Sequence, residues 1–130
     1  VLRGVQDIKA YRKGMSNTTT AYDLMVIYRK LANKEVVSEN ASEAMLDILF
    51  DQTHNNIIPA KLPEDVKVAH KTGSISGVRH DSGIVYLPDG RKYVMVILSK
   101  NMEDEEAGIK MMADVSKWIY DFVIENKPKK

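Results

Sequence analysis

Lys71-Thr72-Gly73 is the segment of this 130-residue chain best equipped for chemistry. It follows Val66 to His70, a stretch that alternates as a short strand. The lysine ammonium can hold an anionic group and lower the pKa of a neighbouring hydroxyl. The threonine hydroxyl can donate to a carboxylate, and the glycine lets a ligand backbone lie along the strand and pair with it. The N–H of Ser74, one residue on, can serve an oxyanion hole. Taken alone, the tripeptide reads as a strand end running into a Gly-Ser loop. It is not a phosphate loop, because the Gly-Lys-Ser/Thr order and the spaced glycine upstream are missing.

Other reactive side chains carry less. His54, His70 and His80 with Asp81 lack the ligand spacing of a metal site, so no metal is expected. His70 precedes Lys71 on a strand and points to the opposite face, as a structural or surface histidine does. Asp81 adjoins His80, yet strand neighbours face apart, so this pair is not a dyad. The seven methionines fall largely on predicted apolar faces. Tyr86 and Tyr93 are expected to face each other across a hairpin, as packing residues or as substrate contacts.

Positioning these residues falls to a single domain, since 130 residues suffice for one core only. Apolar residues make up 44% and charged residues 28%, a globular balance. With 19 basic against 18 acidic residues there is no electrostatic reason to expect nucleic acid as a partner. No apolar run approaches the ~20 residues that span a bilayer. The absence of cysteine removes disulfides, thiolate nucleophiles, cysteine-ligated zinc and iron–sulfur chemistry together.

Residues 1–19 read as polar and irregular, with Gly4, Gly14, Ser16 and Asn17 as breakers. Thr20 with Asp23 has the form of a capping box, and Leu24, Ile27, Tyr28 and Leu31 form a helical stripe to about Asn33. Ser38 or Asn40 can cap a second helix, with Ala41, Met45, Ile48 and Leu49 inward. His54 to Asp65, with Pro59 and Pro63, reads as a connection. Strands follow at Val66–His70, Gly83–Leu87 and Lys92–Leu98, the last two joined through Asp89-Gly90. Acidic residues 103–106 open a final helix whose expected apolar face is Ile109, Met112, Val115, Ile119, Phe122 and Val123. The tail Asn126-Lys127-Pro128-Lys129-Lys130 reads as a solvated end. Helix, helix, strand, strand, strand, helix is an α+β order with a largely antiparallel sheet.

Residues 17–32 (NTTTAYDLMVIYRKLA), 57–63 (IIPAKLP), 69–73 (AHKTG) and 79–98 (RHDSGIVYLPDGRKYVMVIL) stand in an order and spacing that resemble the second half of the class A β-lactamase-like serine hydrolases. The resemblance runs from Arg3 to about Phe122. It implies a partial β-lactamase/transpeptidase-like fold, with antiparallel strands, a C-terminal helix and part of a helical domain. Residues 1–130 would then be one C-terminal portion: an Ω-like loop over 1–19, a helical part over 20–65, and strands with the last helix over 66–125. The implied chemistry is acyl transfer to a serine from a β-lactam or peptide amide, with no cofactor. Lys71, Thr72 and Gly73 match the family's third motif, which binds the substrate carboxylate. Ser74 falls at the oxyanion N–H, and Arg3 and Asn17 stand at the two ends of the loop. Location in the periplasm or outside the cell follows from the resemblance alone.

The departures are specific. No Ser-x-x-Lys occurs in these residues, so the nucleophile and its lysine base are missing. Ser38-Glu39-Asn40 spells Ser-x-Asn but follows the loop instead of preceding it, and is read as a helix cap. Where the family has a deacylating glutamate stand Val5, Gln6 and Asp7; a glutamine cannot take a proton from water, which leaves Asp7 as a weak candidate base. Ser82 occupies the place before Gly83 where class A enzymes often carry arginine. Arg79, three residues earlier, either reaches the carboxylate or is merely solvated. The chain opens Val1-Leu2-Arg3-Gly4 with no methionine or leader, so a piece of a longer protein is expected. Alone it should be inactive and should self-associate or recruit the missing N-terminal portion to cover an open sheet edge. The alternative is a non-catalytic, lactamase-like binding module.

Overall fold

Side-chain caps fix where the helices begin. Asp7 accepts the Ala10 N–H at 2.9 Å and opens a five-residue α1 (Ile8–Arg12), inside the segment expected to be irregular. Thr20 accepts the Asp23 N–H at 3.1 Å and donates to the Asp23 carboxylate at 2.8 Å, opening α2 (Ala21–Ala32). Ser38, in place of Asn40, caps α3 (Glu39–Phe50). Asp104 caps the 21-residue α4 (Glu105–Glu125), with Glu105 and Glu106 in its first turn. The computed structural model describes residues 1–126, and the lysine-rich tail from Lys127 lies outside the described residues.

Three antiparallel strands, β1 (Lys67–Ile75), β2 (Val78–Tyr86) and β3 (Lys92–Leu98), form a sheet in the order β1-β2-β3. β1 does not stop at His70. Its residues pair with β2 down to Ile75 opposite Val78, so Lys71-Thr72-Gly73 lies within the strand and not after it. The tight return uses Gly77 at φ +68°, a conformation that favours glycine. The second hairpin closes through Gly90, with the Leu87 N–H on the Arg91 carbonyl at 2.8 Å. Its register sets Tyr86 opposite Lys92 and Tyr93 opposite Val85. Tyr86 and Tyr93 therefore point to opposite faces and do not meet, contrary to the expectation from the loop. Tyr86 packs its ring 5.4 Å from that of Phe50.

Both faces of the sheet are covered. Val66, Val85, Leu87 and Met95 meet Ile57, Ile58 and Met112, which places α4 and the 57–62 connection on one side. Ala69 and Ile84 meet Tyr28, Leu31, Ala32 and Leu46, which places α2 and α3 on the other. Period-two alternation assigns Val68, His70 and Thr72 to the α4 side, and Lys71 and Gly73 to the α2 side. The helices are narrower than their stripes implied: Ile27 on α2 and Ile48 on α3 are exposed. On α4 the buried face is Gly108, Met112, Ala113 and Ser116, so Phe122 stays 64% exposed, beside Trp118 at 67% and Met111 at 61%. Ile119 is also on this outer stripe.

Candidate active site

Lys71 is solvent-exposed, with its Nζ on the Thr72 carbonyl at 2.5 Å. Opposite it in the ladder is Ser82, whose hydroxyl donates to the Tyr28 phenol oxygen at 3.2 Å. Burial pushes the Tyr28 phenol pKa up, the Ser82 hydrogen bond opposes this, and the Asp81 charge adds to it, so the phenol stays protonated at neutral pH. The place where the resemblance expects an arginine is thus filled by a neutral Ser82–Tyr28 pair. The Thr72 hydroxyl makes no hydrogen bond among the described residues.

The two strand glycines differ in what surrounds them. A Cβ built at Gly83 would stand 2.3 Å from the Ala69 carbonyl oxygen and 2.6 Å from the His70 Cβ, so the strands can close only over a bare Cα. A Cβ at Gly73 would meet nothing nearer than the His80 Cβ at 3.7 Å, an ordinary contact. The chain's own packing does not require glycine at 73.

Arg79 is neither solvated nor free. Its guanidinium donates to the Ile75 and Val78 carbonyls at 2.8 Å each and pairs with Glu105 at the start of α4. Ser99 holds the Arg79 backbone: its hydroxyl takes the Arg79 carbonyl at 2.5 Å and receives the Arg79 N–H at 3.0 Å. The cation expected near a ligand carboxylate is spent on the tip of the β1–β2 hairpin. Ser74 stands opposite it in the ladder.

The N-terminal loop is closed at the two residues expected to end it. Asn17 accepts the Leu2 and Arg3 N–H groups at 2.8 and 3.3 Å and donates to the Arg3 carbonyl at 2.9 Å. The Arg3 guanidinium turns inward to the Gly4 and Val5 carbonyls and lies 4.9 Å from the Tyr11 ring centroid. Asp7 caps α1 through one carboxylate oxygen and is otherwise exposed.

The feature the sequence did not disclose lies beneath Lys71. His70 and Asp81, at 1% and 0% exposure, meet at 2.8 Å between Nδ1 and Oδ1. The other Asp81 oxygen accepts the Ile58 N–H at 3.0 Å, and the other His70 nitrogen faces the Asn55 side-chain oxygen at 3.0 Å. His80, the sequence neighbour of Asp81, instead receives the Ser99 N–H at 3.1 Å. A signal for the true pair existed: with His70 opposite Gly83 and Thr72 opposite Asp81, His70 and Asp81 are diagonal neighbours on one face. Reading it required the register. A concavity of about 640 Å³ lies at the start of β1, lined by Phe50, Gln52, Asn55, Lys67 and Val68, beside the lysine motif and not at it.

The model of the Beta-lactamase2 family, described as a β-lactamase enzyme family, matches residues 1–123. The chain belongs to the β-lactamase enzyme family. It is 30% identical over 115 residues to a β-lactamase of Bacteroides uniformis, a match covering 81% of this chain and 39% of that protein. The solved structure of PBP-A superposes with a TM-score of 0.84 at 28% identity, covering 97% of this chain and 46% of PBP-A. A PBP-A point mutant solved as an acyl-enzyme complex with penicillin G superposes equally well, with a TM-score of 0.84 at 29% identity and the same coverage. The chain therefore spans about two fifths of the length of the β-lactamase it matches. The α+β architecture of this β-lactamase-family chain, with its three-stranded antiparallel sheet, is that expected from the resemblance. No helix among the described residues is long and apolar enough to cross a membrane.

Proposed function

We propose that this chain is the C-terminal part of a serine hydrolase that opens β-lactam or peptide amide bonds through an acyl-enzyme. In that reaction a serine oxygen bonds to the amide carbonyl carbon, the C–N bond breaks, and the hydroxyl proton ends on the departing nitrogen. The serine and its lysine belong to a portion outside these residues. This portion's task is to hold the substrate: Lys71 and Thr72 take its carboxylate, Gly73 lets it lie along the strand, and the Ser74 N–H faces the developing oxyanion. The Asn17–Arg3 closure shapes the loop beside it.

Gly73 is the observation that carries this reading. A strand residue whose Cβ would clash with nothing in the chain, next to an exposed lysine and an unengaged threonine hydroxyl on an unpaired sheet edge, is explained by a ligand on that edge. Efficient β-lactam turnover is disfavoured, because Gln6 cannot act as a base and only Asp7, the α1 cap, offers a carboxylate nearby. Slow deacylation, or carboxypeptidase-like action, fits better. The protein acts in the periplasm or outside the cell, and the N-terminal portion or a second copy covers the β3 edge and the outer α4 stripe.

The coding sequence upstream of Val1, read in frame, tests the proposal. A leader, then Ser-x-x-Lys, then Ser-x-Asn is the expected result. A start codon at Val1 overturns it in favour of a non-catalytic binding module, the reading favoured by the missing Ser-x-x-Lys within these residues.

A further inference from the structure

We propose that Asn55, His70 and Asp81 form a positioning array that sets the height and tilt of the Lys71-Thr72 edge for a carboxylate-bearing ligand. The inference rests on the reading of Lys71-Thr72-Gly73 as the carboxylate-binding strand. Neither His70 nor Asp81 touches that ligand; both act through the strand.

The chain of contacts is continuous and crosses four parts of the fold. Asn55, in the connection after α3, faces His70 on β1; His70 meets Asp81 on β2; Asp81 receives the Ile58 N–H; and the Ile58 carbonyl receives the Ser116 hydroxyl of α4 at 2.8 Å. Both Asp81 oxygens are thereby used, and the carboxylate obliges His70 to present Nδ1–H to it. The Asn55 amide supplies an acceptor to the other ring nitrogen if the ring is an imidazolium, or a donor, turned over, if it is neutral. In a site this dry, losing one partner strands a polar group, so the geometry is held sharply.

This array sits where it can act on the motif. His70 is the residue before Lys71, and Asp81 is the ladder partner of Thr72 on the same face. A shift of His70 into or out of the core moves the next peptide, and with it the Lys71 side chain on the opposite face. Gly83, opposite His70, removes the Cβ that would hold the strands apart, so the ladder closes here with the imidazole and its carboxylate packed on its α4 face. Ordinary sheet packing would put an apolar pair at this position, and an apolar pair is cheaper to bury than a polar one. Retaining a polar array directly under the motif favours geometric precision over stability.

The test uses the protein made from the complete reading frame, with penicillin G and its methyl ester as probes of carboxylate-dependent acylation. Asp81→Asn, which keeps the side chain's size, is expected to lower the acylation rate constant for penicillin G about tenfold while leaving the ester within about twofold. Asn55→Ala, at the solvent end of the array where folding is not at risk, is expected to act in the same direction by a smaller factor. Equal losses on both probes, or no loss on either, overturn the inference, because a merely structural role does not distinguish the two. Lys71→Ala is the control: if it leaves the ratio between the probes unchanged, the carboxylate reading itself fails. If neither probe acylates the wild type, the hydrolase reading fails, and shifts of the Lys71–Ser74 amide resonances on adding each probe then decide the positioning role in the same way.

Discussion

His70 and Lys71 are consecutive residues that serve opposite sides of one sheet. The imidazole is buried against Asp81 on the α4 side, while the ammonium is exposed on the α2 side. The strand between them couples a dry, fully bonded interior to a wet edge. A change at the buried pair is therefore expected to reach the edge through the strand, while a change at the edge leaves the interior contacts intact.

Lys71→Ala and Gly73→Ala are expected to leave the unfolding free energy nearly unchanged, within about 0.5 kcal/mol, because each touches little of the chain. Both are expected to weaken capture of a carboxylate-bearing β-lactam by the complete protein, about tenfold or more for Lys71. Thermal unfolding beside penicillin acylation rates checks this. A large loss of stability in Gly73→Ala would remove the argument for a ligand on that edge.

Gly83→Ala is expected to do the reverse. Its Cβ would sit 2.3 Å from a backbone oxygen that cannot move without opening the β1–β2 ladder. The expected cost is about 3 kcal/mol of unfolding free energy, measured by urea titration.

Tyr93 supplies a pH test. Its hydroxyl is buried with no hydrogen-bond partner among the described residues. Burial, followed by the neighbourhood of Tyr120 and Asp121, pushes its pKa up to about 12 from the ordinary ~10. The unfolded chain gives up this proton first, so the contribution to stability is complete below pH ~10 and is lost as pH rises toward about 12. Tyr93→Phe is expected to make that alkaline decline shallower, with Tyr28 and Tyr86, also raised by burial, accounting for the remainder. At neutral pH the variant should hold or gain about 1 kcal/mol, because it removes an unsatisfied buried hydroxyl. Chemical denaturation at pH 7 and pH 11 makes the comparison.

The 130-residue chain produced alone is expected to associate through the outer α4 stripe and the open β3 edge. Trp118→Lys with Phe122→Lys, both at exposed positions, should shift it toward monomer without lowering its helix content. Light scattering across a dilution series checks this. A wild-type chain that is already a sharp-melting monomer would contradict it.

Local chemistry was legible in the residues themselves. Thr20 with Asp23 and Ser38 announce helix starts because capping needs only a side-chain oxygen and an N–H three residues on. Asp89-Gly90 announced a hairpin because its turn needs a positive φ that glycine adopts freely, and the motif at Lys71-Thr72-Gly73 could be found because its three residues are contiguous. What depended on register was not legible. Tyr86 and Tyr93 were expected to meet, and a one-residue offset in the hairpin sent them to opposite faces. Arg79 could be placed near the motif but not assigned a partner, because Glu105 lies 26 residues away on another element. The same limit hid the pairing of His70 with Asp81, whose separation of 11 residues is meaningful only once the strands are aligned. Sequence determined which segments fold and which side chains are equipped for chemistry, since both follow from neighbours along the chain. Tertiary structure alone decided which of those charges are free for a ligand and which are spent within the fold, since burial and pairing are properties of residues brought together across it.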